Sequence, residues 1–328
     1  MSEVISLSDQ LTDEEWLAEI DELGEARGYF QSVGPDHSAL FLDESFDVLL
    51  VSFDTIASAR AGSASGIPHA MLQAEIRGWS HLSILAKSNS WFRDRAVYGY
   101  FDRLVDDGFF EDFDHVIFYG AGLAGYAAAA FSVAAPGATV IAIAPQATLD
   151  PEVAGWDDRF IHMRRTSFTD RYGYAPDMVE AADKVFVLYD PIVDLDAMHA
   201  SLFQGPMVHR IRLRHTGPRT GGTVQALNIL GPLFEKAAAG TLRPLDFYKA
   251  FKRRHRYMPY LRNLLGQVHI EERHYLTALL CRAVLSLKNS QRFRHHFELA
   301  EHRLIEQGGR LPPTLSQRRA AQSNARNS

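Results

Sequence analysis

Short apolar runs alternate with longer amphipathic segments through most of the chain, up to about residue 242. The runs are rich in Val, Ile and Phe, as buried strands are, and the segments between them repeat their apolar positions with the helical period. Strands that alternate with helices indicate βαβ units, whose strands pair in parallel. The pattern predicts an α/β fold with a mostly parallel sheet flanked by helices. The predicted strands are SALFLD, FDVLLVSFD, HVIFYG, ATVIAIAP, KVFVLYDP and HRIRLRH.

The N-terminal segment TDEEWLAEIDELGEARGYF predicts an amphipathic helix. Thr12 stands where an N-cap residue is expected, and Glu15 three residues later completes a capping box. The apolar face of this helix comprises Trp16, Leu17, Ile20 and Leu23.

Strand signals stop at about residue 245, and three helical segments follow, among them DFYKAFKRRHRYMPYLRNLLGQV. The last residues are polar and begin with a Pro-Pro pair, which favours disorder. We therefore expect an acidic helix and lead-in strand at 1–45, the α/β core at 46–242, a helical appendage at 243–311, and a disordered tail at 312–328.

The most informative motif has two incompatible interpretations. Gly120, Gly122 and Gly125 fit G-x-G-x-x-G, a dinucleotide-binding turn. The same residues fit the nucleophile elbow G-x-S-x-G, except that Gly122 stands where the serine belongs.

The dinucleotide interpretation fails two tests of context. Its turn belongs to the first βα unit, whereas this motif lies more than a hundred residues into the chain. The next strand ends in Pro145 and Gln146, where an acidic residue should hold the ribose. We therefore expect no NAD, NADP or FAD cofactor, and keep a dinucleotide-binding enzyme as a distant alternative.

The elbow interpretation agrees better with the surrounding sequence. HVIFYG, the glycine turn and YAAAAFSVA have the order strand, turn, helix, and the N–H of Leu123 would belong to the oxyanion-binding region. An acid and a histidine must follow in that order at the ends of later strands. Asp190 ends KVFVLYD and His215 ends HRIRLRH, so both satisfy the order.

Four segments of the chain resemble the sequence motifs of a known protein family. They are FYGAGLAGYAAAA, PGATVIAIAPQ, DPIVDLDAMHA and GWSHLSILAKSNSWFRD, the last in a Trp-containing loop. Over roughly 200 residues the chain resembles α/β-hydrolase-like proteins found near bacterial surface-polysaccharide genes. The resemblance implies an α/β-hydrolase fold, with Asp190 as the acid and His215 as the base of a triad. It gives no role to Gly122, where those proteins have serine.

Glycine cannot form an acyl-enzyme, which favours a non-catalytic binding or accessory protein for a small-molecule or glycan ligand. The alternative is a serine hydrolase or acyltransferase with a displaced nucleophile. Ser80, Ser83 and Ser90 are candidates on upstream loops, and Ser132 is expected to be buried almost three turns down the helix.

Composition and charge limit the partners, metals and cellular locations that the sequence allows. A net charge of −6 and a pI near 6.2 argue against a nucleic-acid partner. The basic run FKRRHRY indicates a solvated helix face, or an intramolecular match to the acidic N-terminus, rather than an anion site. One cysteine, Cys281, in an apolar helix and the absence of H-E-x-x-H predict no metal. The acidic start has no signal-peptide pattern, and no apolar run approaches the ~20 residues that cross a bilayer. We expect a cytoplasmic protein without a membrane segment.

Overall fold

The structure, a computed structural model, describes residues 5–8 and 10–314. The chain forms two compact units, Met1–Phe251 and Lys252–Ser328. The sequence placed a division nine residues earlier, at 242/243. Helix Pro244–Phe251 belongs to the first unit because Phe247 packs on Phe186 of the sheet, with ring centroids 4.8 Å apart. Most of the tail predicted at 312–328 lies outside the described residues.

The first unit is built on one eight-stranded sheet. Its strands are β1 (Gly28–Val33), β2 (His37–Leu42), β3 (Val48–Thr55), β4 (Ser80–Ala86), β5 (His115–Ala121), β6 (Thr139–Ile143), β7 (Lys184–Tyr189) and β8 (Val208–Arg212). The spatial order is β1-β2-β4-β3-β5-β6-β7-β8. Only β2 is antiparallel to its neighbours, and every other pair is parallel. The fold is therefore an α/β-hydrolase fold, as expected: a mostly parallel sheet flanked by helices.

Eleven α-helices accompany the sheet in the described part of this unit. They are α1 (Asp13–Arg27), α2 (Ile56–Arg60), α3 (His69–Arg77), α4 (Arg95–Asp106), α5 (Leu123–Phe131), α6 (Pro151–Ala154), α7 (Ala175–Met178), α8 (Asp194–Leu202), α9 (Thr220–Ala226), α10 (Leu230–Ala238) and α11 (Pro244–Phe251). The predicted capping box of α1 is present: Glu15 donates its N–H to Thr12 Oγ1 over 3.2 Å, and Thr12 donates its N–H to Glu15 Oε2 over 2.7 Å. Trp16 and Ile20 are buried, as the amphipathic pattern predicts.

Two strands were missed by the sequence analysis. Gly28 and the residues after it were assigned to the first helix, but the chain turns at Gly28 and pairs with β2. The segment of β4 was assigned to a loop, because the polar residues Ser80, His81 and Ser83 interrupt its apolar pattern. All three are buried, and His81 Nε2 lies 3.0 Å from Ser52 Oγ on β3, so polar contacts between strands replace apolar ones.

The long helix predicted from DFYKAFKRRHRYMPYLRNLLGQV is interrupted. Helix α11 ends at Phe251, a 3₁₀ segment spans Lys252–Arg256, and α12 (Met258–Ile270) begins after the extended residue Tyr257. Pro259 explains the restart, since proline lacks the N–H of a helix interior but fits its first turn.

The described part of the second unit contains α12, α13 (His274–Leu285) and α14 (Gln291–Glu306). Short loops join them, so consecutive helices run antiparallel. Cys281 is fully buried in α13, and burial raises the pKa of its thiol to about 11, which agrees with a core residue. Among the described residues, no helix has the length and apolar character needed to cross a membrane.

Candidate functional site

The turn between β5 and α5 has a backbone conformation that favours glycine. Gly122 adopts φ +60° and ψ −123°, and its N–H donates to the carbonyl of Ile143 on β6 over 2.8 Å. A Cβ on Gly120 would lie 2.1 Å from the carbonyl oxygen of Ala124, and one on Gly125 would lie 3.2 Å from that of Gly120. Small residues at 120 and 125 therefore allow the helix to begin directly against its strand.

Gly122 itself faces open space. A Cβ added there would meet no atom within 4 Å, and Gly122 borders a cavity of about 420 Å³. Leu123 borders the same cavity at the start of α5, where first-turn N–H groups have no partner within the helix. The turn therefore offers a backbone donor and free volume to a ligand, but no side chain that reacts.

The cavity lies at the carboxyl edge of the parallel strands, where ligands bind in open α/β sheets. Its aromatic walls are Phe53, Trp91, Tyr119 and Phe160, and its polar groups are Asp54, Ser58, His69, Asn89, Gln146 and Gln225.

Asp54, near the end of β3, carries the perturbed carboxyl of the cavity. The single hydroxyl proton of Ser58 on α2 has two acceptors within hydrogen-bond distance: Asp54 Oδ1 at 3.1 Å and the carbonyl oxygen of Thr55 at 3.0 Å. Burial raises the pKa of Asp54 to about 7, and the hydrogen bond from Ser58 offsets only part of this shift. Burial and the nearby charge of Asp54 raise the pKa of Tyr119 well above its usual value. Asp54 is therefore poised to gain or lose a proton near neutral pH.

The oxygen of Ser58 is held by its neighbour Thr55. It accepts the Thr55 N–H over 2.9 Å and the Thr55 hydroxyl over 3.1 Å, while the Ser58 N–H donates to Thr55 Oγ1 over 3.1 Å. These contacts form a capping box that starts α2. The two donors from Thr55 hold Ser58 Oγ in one position at the start of α2.

A neutral histidine and a tryptophan held by two neighbours complete the lining of the cavity. Burial lowers the pKa of His69 to about 4, so the ring is neutral at pH 7. Its Nε2 is buried and has no hydrogen-bond partner among the described residues. On the opposite side, Trp91 Nε1 donates to Gln146 Oε1 over 2.9 Å, and the Trp91 ring meets the Phe160 ring at 4.7 Å.

A buried hydrogen bond fixes the segment that carries Phe160. His199 Nε2 lies 2.9 Å from Asp157 Oδ2, and His199 Nδ1 accepts the N–H of Ala147, so the ring proton is on Nε2. Burial alone would raise the pKa of Asp157, but hydrogen bonds from His199 and Arg159 lower it below its usual value. His199 therefore anchors the cavity wall and does not face its interior.

The acid and base proposed from sequence stand at the same sheet edge. Asp190 directly follows β7 and is fully buried, and His215 lies three residues beyond β8 with φ +65°. Asp190 Oδ2 accepts the N–H of Gly217 over 2.8 Å, which ties it to the loop that carries His215. Neither Asp190 nor His215 is among the described residues that line the cavity. The chain beyond β8 lines the cavity at Gly221, where an added Cβ would lie 2.8 Å from Ala121 Cβ.

The four serines considered as displaced nucleophiles do not line the cavity. Ser80 lies at the amino end of β4 and accepts two backbone N–H groups, and Ser83 lies in the middle of that strand. Ser132 is buried and donates to a carbonyl of α5, and Ser90 contacts His37. The sequence analysis missed Ser58, although DTIAS has the spacing of a cap directly after a strand.

Among the described residues, no group of three or more His, Cys, Asp or Glu side chains could hold a metal ion. The glycine turn follows the fifth strand, and Gln146, at the position where a ribose-binding acid would stand, bonds Trp91 instead.

No protein-family model matches the chain, and no curated protein sequence matches it. Several solved structures are similar. The Pyrobaculum calidifontis esterase is 13% identical, with a TM-score of 0.43 over 72% of this chain and 96% of that one. The carboxylesterase EstE1 from a metagenomic library is 13% identical, with a TM-score of 0.38 over 75% and 99%. The capsule O-acetyltransferase of Neisseria meningitidis serogroup A is 9% identical, with a TM-score of 0.38 over 62% and 91%. At these identities the similarity concerns the fold alone.

The glycines of the turn should differ in what they tolerate. Gly120→Ala should lower the free energy of unfolding by more than about 3 kcal/mol, because its Cβ meets the backbone of α5. Gly122→Ala, the matched control, adds the same methyl group to open space and should cost only the strain of its positive φ, about 1–3 kcal/mol. Urea denaturation of both variants measures the difference, and equal losses would contradict this account of the turn.

Proposed function

We propose that the protein is an acyl-group enzyme of the α/β-hydrolase fold, a hydrolase or acyltransferase, that uses Ser58 in place of an elbow serine. The observation that carries this proposal is the hydrogen bond from Ser58 to Asp54 in the cavity beside Gly122. A hydroxyl within reach of a base, next to unpaired backbone N–H groups, is the minimum arrangement for acyl transfer.

In the proposed reaction, Ser58 Oγ attacks the carbonyl carbon of the substrate while its proton passes to ionised Asp54. The new C–O bond makes a tetrahedral oxyanion, and the N–H of Leu123 is the proposed donor to it. Collapse of this intermediate expels the leaving alkoxide, which takes the proton from Asp54. A water or acceptor alcohol then gives its proton to Asp54 and attacks the acyl-Ser58 ester. The Ser58 Oγ–acyl bond breaks, the acid or new ester leaves, and Ser58 Oγ takes the proton from Asp54, which restores both residues.

The raised pKa of Asp54 and the open space at Gly122 both suit this chemistry. A general base works best when its pKa is close to the working pH, and burial brings that of Asp54 to about 7. In this proposal Gly122 occupies the elbow position of the fold without a nucleophile, and its open side leaves room for the acyl group. Asp190 and His215 would be relic triad members.

A second candidate is a non-catalytic protein that binds a small molecule or glycan in the same cavity. Two observations favour it: Gly122 has no side chain, and Ser58 already has a structural role in the capping box of α2. An association with surface polysaccharide and a cytoplasmic location remain predictions from the sequence.

A fluorophosphonate probe separates the two candidates, because it reacts covalently with activated serines. The parent protein should be labelled at Ser58, as located by peptide mass spectrometry, and Ser58→Ala should abolish labelling. Asp54→Asn should slow labelling about 100-fold, since it removes the base. Ser201→Ala, which changes an exposed serine of α8, is the control and should react like the parent. Absence of labelling, or labelling unaffected by Ser58→Ala, would reject Ser58 as the nucleophile.

The raised pKa of Asp54 should also make stability depend on pH. Between about pH 4 and pH 7 the folded protein keeps a proton on Asp54 that the unfolded chain has released. The free energy of unfolding should therefore fall as pH rises through this interval, and Asp54→Asn should reduce the fall. Ser58→Ala keeps the carboxyl and should retain the fall. Urea denaturation at pH 5 and pH 7.5 tests this, and an undiminished fall in Asp54→Asn would refute the burial of this carboxyl.

Restoring a serine to the turn tests the relic triad. In the Ser58→Ala background, Gly122→Ser places a hydroxyl in open space beside the N–H of Leu123. If His215 and Asp190 still act as base and acid, this variant should gain fluorophosphonate labelling at position 122. Adding His215→Ala should remove the gain. A folded Gly122→Ser variant that stays unlabelled would show that Asp190 and His215 have no triad function.

A further inference from the structure

We propose that the second unit binds a long-chain amphiphilic anion at the end where α12 begins and α13 ends. The ligand class is an alkyl chain with a phosphate or carboxylate head, either as a free molecule or as an anionic lipid. This site does not depend on the function proposed for the cavity of the first unit.

A cavity of about 390 Å³ lies between these two helices. Its floor is apolar, from Met258 and Leu261 on α12 and from Val284 and Leu287 at the end of α13 and just beyond it. The side chain of Leu287 is 61% exposed, which leaves apolar surface in contact with water. An apolar ligand segment would cover it.

Two cations stand beside this apolar floor. Arg256 and Lys288 line the same cavity, both are exposed, and neither forms an ion pair among the described residues. The basic run was expected to be a solvated face, and Arg256 is exposed, as expected, while it also lines this cavity.

The charge of the unit is unbalanced at this end. No Asp or Glu occurs in 252–270 or 273–297. The acidic residues in the described part of the unit are therefore Glu271 and Glu272, in the turn at the other end, and those in the later turns of α14. In the antiparallel arrangement, α12 and α14 both begin at the cationic end, and neither start has a side-chain cap. Helix N-termini favour negative charge, and two of them outweigh the single C-terminus of α13.

The apolar floor and the two cations together indicate the class of ligand. A simple anion would leave the apolar floor exposed, and a neutral or cationic amphiphile would place its head among unpaired cations. Only an anionic head with an alkyl chain satisfies both parts. A chain buried in the cavity contributes about 0.8 kcal/mol for each CH₂ group removed from water.

The binding experiment uses the full-length protein and calorimetric titration with dodecyl phosphate below its micelle concentration. We expect saturable binding, with inorganic phosphate and dodecyltrimethylammonium at least about tenfold weaker, since each lacks one of the two interactions. Lys288→Glu should weaken dodecyl phosphate binding by at least about tenfold. Arg262→Glu is the matched control, with the same charge change on an exposed residue of α12 outside the cavity lining, and should change it less than threefold.

Equal weakening by Lys288→Glu and Arg262→Glu would overturn the proposal, because it would mean diffuse attraction rather than a site. Equal binding of dodecyl phosphate and inorganic phosphate would overturn it as well. Co-sedimentation with phosphatidylglycerol vesicles, against phosphatidylcholine vesicles, identifies the source. Vesicle binding that Lys288→Glu abolishes supports the site with a lipid as ligand, whereas dodecyl phosphate binding without vesicle binding supports it with a free amphiphile.

Discussion

The turn at Gly122 is the constraint on which the rest of the site depends. Its positive φ lets β5 reverse directly into α5, and this requires a residue at 120 without a Cβ and close contact at 125. The hydrogen bond from the Gly122 N–H to Ile143 fixes the turn against the neighbouring strand. The start of α5 is therefore held at the carboxyl edge of the sheet, and the cavity forms above it. The turn presents backbone groups only, and the proposed function interprets it as the elbow of an α/β-hydrolase without its serine.

Because the turn supplies no reactive side chain, chemistry in this cavity has to come from an adjacent strand. The end of β3 is parallel to β5 and pairs with it directly, so Asp54 and the start of α2 lie beside the turn. Partial burial of Asp54 at the end of β3 raises the pKa of its carboxyl more than the hydrogen bond from Ser58 lowers it. The same burial keeps His69 neutral. The cavity thus holds one group that titrates near neutral pH and one that stays uncharged.

The fold could be predicted from the sequence where a strand is a continuous apolar run, as β5, β6 and β7 are. It could not where buried polar residues pair across strands, because His81 and Ser52 each look like surface residues in isolation. The glycine turn was visible as a motif. Asp54 and Ser58 were not, because the cavity that they border is completed by residues distant in sequence, such as Tyr119 and Phe160. A hydroxyl that caps a short helix gives no sign of facing a cavity.

The capping role of Ser58 and its proposed chemistry are compatible. A serine that searches several rotamers must lose that freedom before it reacts, whereas Ser58 is already fixed by the N–H and hydroxyl of Thr55. In the proposed reaction the same two donors would stabilise negative charge that develops on its oxygen, while Asp54 Oδ1, 3.1 Å away, would accept its proton. A structural cap and an activated hydroxyl therefore need the same contacts. An activated hydroxyl differs from a structural cap in one respect, which is that a substrate carbonyl carbon must be able to reach it. The open volume above Gly122, in the cavity that Ser58 also lines, leaves room for such a substrate.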